Sequence, residues 1–368
     1  MKNLVEVAVM TLCLSPMVQA ATPKVIYGDD NRIFAEDSNN ETYKKWAAST
    51  AVQILAKDIE VLKEGESYRV NPGKLQDSFA NVCADEDFSQ VANAGNCSGF
   101  LVGEDLLVTA GHCMASQEAC DNAKWAFNYQ NDVISASDNV LEAKEVYSCK
   151  TIINQELNSF SKNDFALIQL DRKVEGREPL KVRTQGKVEL GTELVVIGHP
   201  SGLPTIIADG AWVRSNDHDF FFKANTDTFG GNSGSAVFNA ETGVVEGILV
   251  RGEKDYEYDA AAGCNRPKLC ENDECRGEDI TRITVIPELA PGMTPEAPAP
   301  SPVQMYQVWV QSVTAQQLYY LWYMQQSTTE IATMMAEQTL VQTYQVWVST
   351  LDAQTLYVLW YTNIYLAN

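Results

Sequence analysis

The sequence predicts an all-β domain over residues 25–286, followed by a proline-rich linker at 287–302 and a small helical module at 303–368. Three observations support this division. The first segment contains short runs of valine, isoleucine, leucine and phenylalanine bordered by glycine, asparagine or aspartate, which is the pattern of strands and turns. Helical periodicity is scarce there, and only residues 41–47 favour a helix. The linker is dense in proline, and the module repeats itself.

The N-terminus predicts export. A basic residue precedes an apolar stretch from Leu4 to Leu14, and Val18-Gln19-Ala20 has the small residues of a cleavage site. Residues 1–20 are therefore predicted to be a signal peptide, although Glu6 within the apolar stretch leaves an N-terminal helix as the alternative. Its removal would leave eight of the nine cysteines, and an even count fits disulfides in a secreted or periplasmic bacterial protein.

The C-terminal segments differ in composition from the β-rich region. Proline removes a backbone donor and favours extended geometry, so the sequence PELAPGMTPEAPAPSP at 287–302 is predicted to be an interdomain linker. In the module, Tyr306-Gln307-Val308-Trp309-Val310 recurs 38 residues later, which indicates an internal duplication. The absence of hairpin signals favours two or three helices. Their aromatic side chains are expected to pack together, with an interaction surface for a protein or surface partner as the alternative.

Composition excludes several function classes. The chain has 27 Lys and Arg against 49 Asp and Glu, and its net charge of -22 would repel phosphates, so no nucleic-acid partner is expected. No apolar run reaches the roughly 20 residues that a transmembrane helix needs. No cofactor is expected. The acidic stretch around Cys264 to Asp279 lacks an EF-hand pattern, so no metal is expected either.

Three segments carry a recognisable chemistry, in the order His, Asp, Ser. They read VTAGHC at 108–113, NDFAL at 163–167 and GGNSGS at 230–235. Peptide hydrolysis by a serine needs a base for the hydroxyl proton, a carboxylate that fixes the tautomer of that base, and donors for the oxyanion. We therefore predict a catalytic triad of His112, Asp164 and Ser233. The N–H groups of Gly231 and Ser233 would form the oxyanion hole.

These segments resemble the chymotrypsin-like (trypsin-like) serine peptidases, and within them the bacterial branch related to glutamyl endopeptidases. The resemblance extends over about residues 25–282 and includes CSGF at 97–100, GHPSG at 198–202 and VIYG at 25–28. It implies two six-stranded Greek-key β-barrels and a secreted serine endopeptidase that acts through an acyl-enzyme on protein or peptide substrates. It also implies a disulfide between Cys97 and Cys113, while the other six cysteines stay unassigned.

The resemblance also suggests where substrate side chains bind. Asp227 occupies the position at which an aspartate selects Lys or Arg, whereas Thr228 is the residue type that glutamyl endopeptidases use at the next position. The glutamate-selective branch would place a histidine where this chain has Leu249. We therefore expect cleavage after Lys or Arg, with Glu specificity as the alternative. Arg251 could neutralise Asp227 or bind an acidic substrate.

Lys24-Val25 resembles a trypsin-type activation site, so residues 21–24 are predicted to be the short propeptide of a zymogen. In chymotrypsin-like zymogens the freed amine pairs with an aspartate just before the nucleophile, but here that residue is Asn232. We therefore expect at most partial dependence on processing. Two other classes remain open: a catalytically inactive secreted binding protein that acts through residues 303–368, and an esterase or lipase. The order His, Asp, Ser argues against the usual lipase arrangement.

Overall fold

The structure is a computed structural model that describes residues 25–63, 65–78 and 80–290. The chain divides into two compact units, Met1–Pro295 and Glu296–Asn368, and every described residue belongs to the first. The predicted signal peptide, the propeptide, most of the linker and the helical module lie outside the described residues. Those predictions therefore stay untested.

Six antiparallel strands close the first barrel. They are β1 Thr50–Leu55, β2 Cys97–Leu101, β3 Leu106–Thr109, β4 Ala123–Ala126, β5 Val146–Leu157 and β6 Asp164–Leu170. The order around the barrel is β4-β5-β6-β3-β2-β1, and β1 pairs with β4 to close it. Closure leaves no strand edge of this barrel unpaired.

Six further strands form the second barrel. They are β7 Glu193–Gly198, β8 Ile206–Ser215, β9 Phe221–Ala224, β10 Ala236–Asn239, β11 Val245–Arg251 and β12 Glu278–Arg282. Their order is β7-β10-β11-β12-β9-β8, closed by pairing of β7 with β8, while the short strand Arg32–Phe34 adds to β8. Each barrel therefore repeats the same order of strand pairing. The predicted all-β fold with two six-stranded barrels is confirmed.

Alternation along the strands divides the side chains between the barrel interiors and the interface between barrels. In β6, Ala166 and Ile168 pack inside the first barrel, whereas Phe165 and Leu167 join the cluster that also contains Ile248 of the second barrel. Successive side chains of a strand point to opposite faces, so a fully apolar strand can serve two cores. Asp164 lies at the start of this strand, where the two barrels meet.

The remaining elements are short and lie in the connections. The α-helices are α1 Glu41–Ala47, α2 Gln117–Asp121 and α3 Asn131–Ala136, of which the first was predicted from the sequence. The other strands are Ile26–Tyr27, Ile59–Lys63, Ser67–Val70, Gly73–Lys74, Ala92–Asn93, Val140–Glu142, Tyr256–Asp259, Cys264–Pro267 and Leu269–Cys270. The 3-10 helices are Ala35–Asp37, Ala56–Asp58, Leu75–Asp77, Gly111–Met114, Ala143–Glu145, Pro200–Gly202, Ile283–Val285 and Pro287–Leu289. Within the described ranges, no helix has the length and apolar character needed to cross a membrane.

All eight cysteines beyond the predicted signal peptide form disulfides. The pairs are Cys83–Cys264, Cys97–Cys113, Cys120–Cys149 and Cys270–Cys275. The second pair is the one that the family resemblance implied, and it links β2 to the turn that carries His112.

Candidate active site

His112 lies in the 3-10 turn Gly111–Met114, which follows β3 at the junction of the barrels. Gly111 lets this turn approach two neighbouring strands closely. A Cβ at Gly111 would lie 2.2 Å from the carbonyl oxygen of Glu156 and 2.8 Å from that of Phe165. Any side chain there would push the turn away, so the small residue before the histidine sets the distance between His112 and β6.

Asp164 holds both the backbone and the ring of His112. Its Oδ1 accepts a hydrogen bond of 3.0 Å from the backbone N–H of His112, and its Oδ2 lies 2.9 Å from His112 Nδ1. A carboxylate in this position accepts a hydrogen from Nδ1, so the neutral ring keeps Nε2 as an acceptor. The Asp164 side chain is only 5% exposed, and shielding from water strengthens the two hydrogen bonds that hold His112 in this orientation.

Ser233 lies in the loop between β9 and β10, and its backbone is fixed beside the His112 turn. The N–H of Ser98 donates a 2.8 Å hydrogen bond to the carbonyl oxygen of Ser233, and Cys113 Sγ lies 3.7 Å from the same oxygen. Among the described residues, the Ser233 hydroxyl forms no hydrogen bond with His112. The structure thus joins His112 and Asp164 directly and holds the serine next to them through its backbone. In structures without substrate, the hydrogen bond between a serine nucleophile and its histidine is often long and shortens only when substrate binds.

Two backbone N–H groups of the serine loop are available to an outside acceptor. Across the described part of the chain, neither the N–H of Gly231 nor that of Ser233 donates to a protein acceptor. Backbone donors are nearly always paired when buried, so an unpaired couple beside a serine suits a ligand oxygen. Gly231 has φ +97, and a Cβ there would lie 2.6 Å from the His199 carbonyl oxygen. Glycine is therefore required at this position.

Ser98 is a site residue that the sequence analysis quoted without assigning a role. Its hydroxyl donates a 2.8 Å hydrogen bond to the carbonyl oxygen of Gly231 and accepts one of 2.9 Å from the N–H of His199. The side chain is completely buried. Ser98 therefore orients the peptide group that joins Gly231 to Asn232, between the N–H groups of Gly231 and Ser233. The only sequence signal for this role was the position of Ser98 directly after Cys97. Its hydrogen-bond partners, Gly231 and His199, lie more than 100 residues away in sequence.

Asp227 and Thr228 bind the N-terminal segment of the domain. Asp227 Oδ1 accepts from the N–H of Tyr27 at 2.7 Å and Oδ2 from the N–H of Asn31 at 3.1 Å. The N–H of Thr228 donates to the carbonyl oxygen of Val25 at 3.2 Å. Asp227 is only 4% exposed, and burial raises the pKa of its carboxyl to about 7. Both oxygens that were expected to face substrate are thus bound to backbone donors.

Glu278 is a second buried carboxyl group beside Thr228, and the sequence analysis did not connect it with the substrate. Its side chain is fully buried, and Oε2 accepts a 3.1 Å hydrogen bond from Thr228 Oγ1. Oε1 accepts from the N–H of Glu253 at 3.0 Å. A Cβ at Gly252, directly after β11, would lie 1.7 Å from Oε2, so the backbone passes directly over this carboxyl group. The region near Thr228 is therefore rich in acidic groups.

Arg251 lies next to the His112–Asp164 pair. Its Nη1 is 3.8 Å from Asp164 Oδ2, its Nε donates to Asp279 Oδ2 at 3.0 Å, and its Nη2 donates to the carbonyl oxygen of Lys162 at 2.8 Å. Arg251 was expected either to neutralise Asp227 or to bind an acidic substrate. It forms no ion pair with Asp227. The guanidinium instead pairs with Asp279 because these residues face each other across β11 and β12.

The two other histidines lie outside this arrangement. His199 is 1% exposed, and its Nδ1 lies 3.0 Å from the carbonyl oxygen of Leu203. Burial lowers the pKa of His199 to about 4, so its ring stays neutral over the ordinary pH range. His218 stacks on Phe221 with ring centroids 4.1 Å apart.

One cluster of the described residues has metal-ligand atoms close together. Cys97, His112 and Cys113 place these atoms within 4.8 Å of one another. The two sulfurs form a disulfide and therefore cannot act as thiolate ligands. The donor set does not fit a metal centre.

Residues 97–248 match the family model of the trypsin-like peptidase domain. Over this range the chain is similar to trypsin-like peptidase domains. This match includes His112, Asp164 and Ser233, and the resemblance to chymotrypsin-like peptidases is thereby confirmed. The chain matches no curated protein at a significant level.

Several solved structures are similar to the peptidase domain. A Glu endopeptidase in complex with MPD has 16% identity, covers 72% of this chain and 97% of its own, and has a TM-score of 0.41. The Rv3671c protease from M. tuberculosis in its active form has 11% identity, 81% and 97% coverage and a TM-score of 0.40. HBP has 16% identity, 56% and 90% coverage and a TM-score of 0.41. We base the fold assignment on strand topology.

Proposed function

We propose that the protein is a serine endopeptidase with Ser233 as the nucleophile, His112 as general base and acid, and Asp164 as the group that orients the imidazole. The observation that carries this proposal is the contact of 2.9 Å between His112 Nδ1 and Asp164 Oδ2. It leaves Nε2 as the proton acceptor beside the loop that contains Ser233. The unpaired N–H groups of Gly231 and Ser233 add the acceptor site for an oxyanion.

The reaction then proceeds in two halves. His112 Nε2 takes the hydroxyl proton of Ser233 while Oγ attacks the carbonyl carbon of the substrate. The carbonyl oxygen becomes an oxyanion that accepts from the N–H groups of Gly231 and Ser233. The imidazolium gives its proton to the leaving amine, which departs from the acyl-enzyme. Water repeats the sequence and releases the acid, so no proton is gained or lost by the enzyme.

We propose cleavage after Lys or Arg. Two buried carboxyl groups, of Asp227 and Glu278, adjoin Thr228, and an acidic environment favours a cationic side chain over an anionic one. The oxygens of Asp227 are bound to backbone donors and its pKa is raised to about 7, so it would act through its charge above that pH and not through direct contact. Cleavage after Glu remains the alternative, supported by the residue type of Thr228.

Export and processing belong to the same proposal. Four disulfides support an oxidising compartment, either outside the cell or in the periplasm. Val25 is completely buried and bound to Thr228, which supports a mature chain that begins at Val25 after a cut behind Lys24. N-terminal sequencing of the active protein is expected to begin at Val25, and a start at Ala21 would contradict the proposed cut.

Peptide cleavage profiling tests the function. The purified protein and a Ser233→Ala variant are incubated with a mixed peptide library, and the new C-termini are identified by mass spectrometry. Only the unmodified protein is expected to cleave, and the new C-termini should be Lys or Arg. C-termini that are only Glu would favour the alternative specificity. No cleavage by folded protein would favour a binding protein, and equal cleavage by both would remove Ser233 from the chemistry.

A further inference from the structure

A cavity of about 550 Å³ opens beside His112 and Asp164. Its walls are the loop that joins β5 to β6, the side of β9, the end of β11 and the segment around Arg276. Because His112 and Asp164 line the cavity, a peptide bound across His112 and Ser233 can extend into it. We refer to this cavity as the basic groove.

The basic groove has more cationic than acidic groups. Its cationic residues are Lys162, Lys223, Arg251 and Arg276, and its carboxylates are those of Asp164 and Asp279. This excess of positive charge contrasts with a net charge of -22 for the whole chain. A local field of this sign selects anionic groups even on an acidic protein, because charges beyond about 10 Å are screened at ordinary salt.

The two carboxylates of the groove are already bound. Asp164 is held by His112, as described above, and Asp279 accepts from Arg251 at 3.0 Å and from Arg276 at 2.6 Å. By contrast, neither Lys162 nor Lys223 forms an ion pair with any described residue. Lys162 is exposed and Lys223 is half-buried in the groove wall. These two ammonium groups are therefore available to a ligand carboxylate.

A separate cavity beside the serine loop has a different charge. A second cavity, of about 380 Å³, is lined by Gly230 and Gly231 of the serine loop, and the charged residue in its lining is Asp58. The basic groove instead includes the end of β11, as Val250 and Arg251. The next residues, Gly252 and Glu253, contact the Glu278 carboxyl group beside Thr228. A substrate segment that runs along the chain from the Thr228 region back to Arg251 and Val250 therefore enters the basic groove.

We propose that the basic groove is a subsite for an acidic side chain, Asp or Glu, in the substrate segment that precedes the cleaved residue. Lys162 and Lys223 bind its carboxylate, while Arg251 and Arg276 supply additional positive charge. This inference rests on the proposed peptidase function and adds a second selectivity to it. The substrates would carry an acidic residue upstream of the bond that is cut.

Paired peptides test the subsite. Each pair has one cleavable bond and differs by Glu against Gln at one of the four positions before the cleaved residue. At one position we expect kcat/KM to be about fivefold higher for the Glu peptide than for the Gln peptide, because a partly exposed ion pair contributes about that much. This ratio should decrease as the salt concentration rises. The double variant Lys162→Gln, Lys223→Gln should bring the ratio to about one. Lys150→Gln, an exposed lysine outside the groove, should keep it.

A binding measurement separates the subsite from catalysis. The same uncleaved peptides are titrated onto Ser233→Ala, and the affinity for the Glu peptide should exceed that for the Gln peptide by a similar factor. The affinities can be measured even if the protein does not cleave peptides. Cleavage of the Gln peptide as fast as the Glu peptide would show peptidase activity without an acidic subsite. Equal affinities at every upstream position, an unchanged preference in the double lysine variant, or a Glu preference confined to the cleaved residue would each overturn the proposal.

Discussion

Replacing Asp164 by Asn tests the arrangement of the catalytic pair with a change of one functional group. The backbone N–H of His112 can only donate, and it donates to Asp164 Oδ1 at 3.0 Å. An Asn at this position therefore keeps its carbonyl oxygen there and places its NH2 group where Oδ2 was, 2.9 Å from His112 Nδ1. Since an NH2 group only donates, Nδ1 must accept. The neutral ring then carries its hydrogen on Nε2, where it cannot take a proton from Ser233.

The expected effect of Asp164→Asn is a decrease in kcat of about 10⁴-fold, the loss measured for the same tautomer error in another serine peptidase and equivalent to about 5 kcal/mol. Peptide hydrolysis at neutral pH measures it, and thermal unfolding establishes that the variant is folded. Asp171→Asn is a matched control, because Asp171 directly follows the other end of β6 and forms an exposed pair with Arg172. A loss below tenfold for Asp164→Asn would refute the tautomer argument.

Three further changes have defined outcomes. Because burial raises the pKa of Asp227 to about 7, its ionisation costs stability as pH rises from about 4 through about 7, by up to about 4 kcal/mol. The Tm of Asp227→Asn relative to the unmodified protein should therefore increase over this range, and a constant difference would contradict the assignment. Ser98→Ala frees the peptide group that joins Gly231 to Asn232, between the two oxyanion donors, and should lower kcat by about tenfold with a smaller change in KM; an unchanged kcat would exclude the positioning role. Replacing Cys97 and Cys113 by Ala should lower the free energy of unfolding by about 3 kcal/mol in denaturant titrations, and no loss would contradict it.

Local sequence patterns predicted the β-rich character of the domain. Apolar runs with turn residues at their ends predicted a β-rich domain, and β6, β7 and β11 are strands of this kind. The number and closure of the strands came from the family resemblance, because strand partners far apart in sequence leave no local signal. Three of the four disulfides stayed unassigned for the same reason.

The candidate site was predicted to different extents. The His112, Asp164 and Ser233 segments stood out because each contains a chemically distinctive residue among small neighbours. The contact of Asp227 with Tyr27, 200 residues apart, depends on how the N-terminal segment folds onto the serine loop, which no local motif reports. The position of Arg251 beside Asp164 likewise follows from the register of β11 against β12.

Covalent labelling tests the central claim, that Ser233 is an activated nucleophile. The folded protein is treated with a fluorophosphonate, and the modified residue is located by peptide mapping with mass spectrometry. We predict one adduct, on Ser233, with labelling strongly slowed in Asp164→Asn and absent in Ser233→Ala. Folded protein that stays unlabelled, or that is labelled at a different serine, would contradict the assignment.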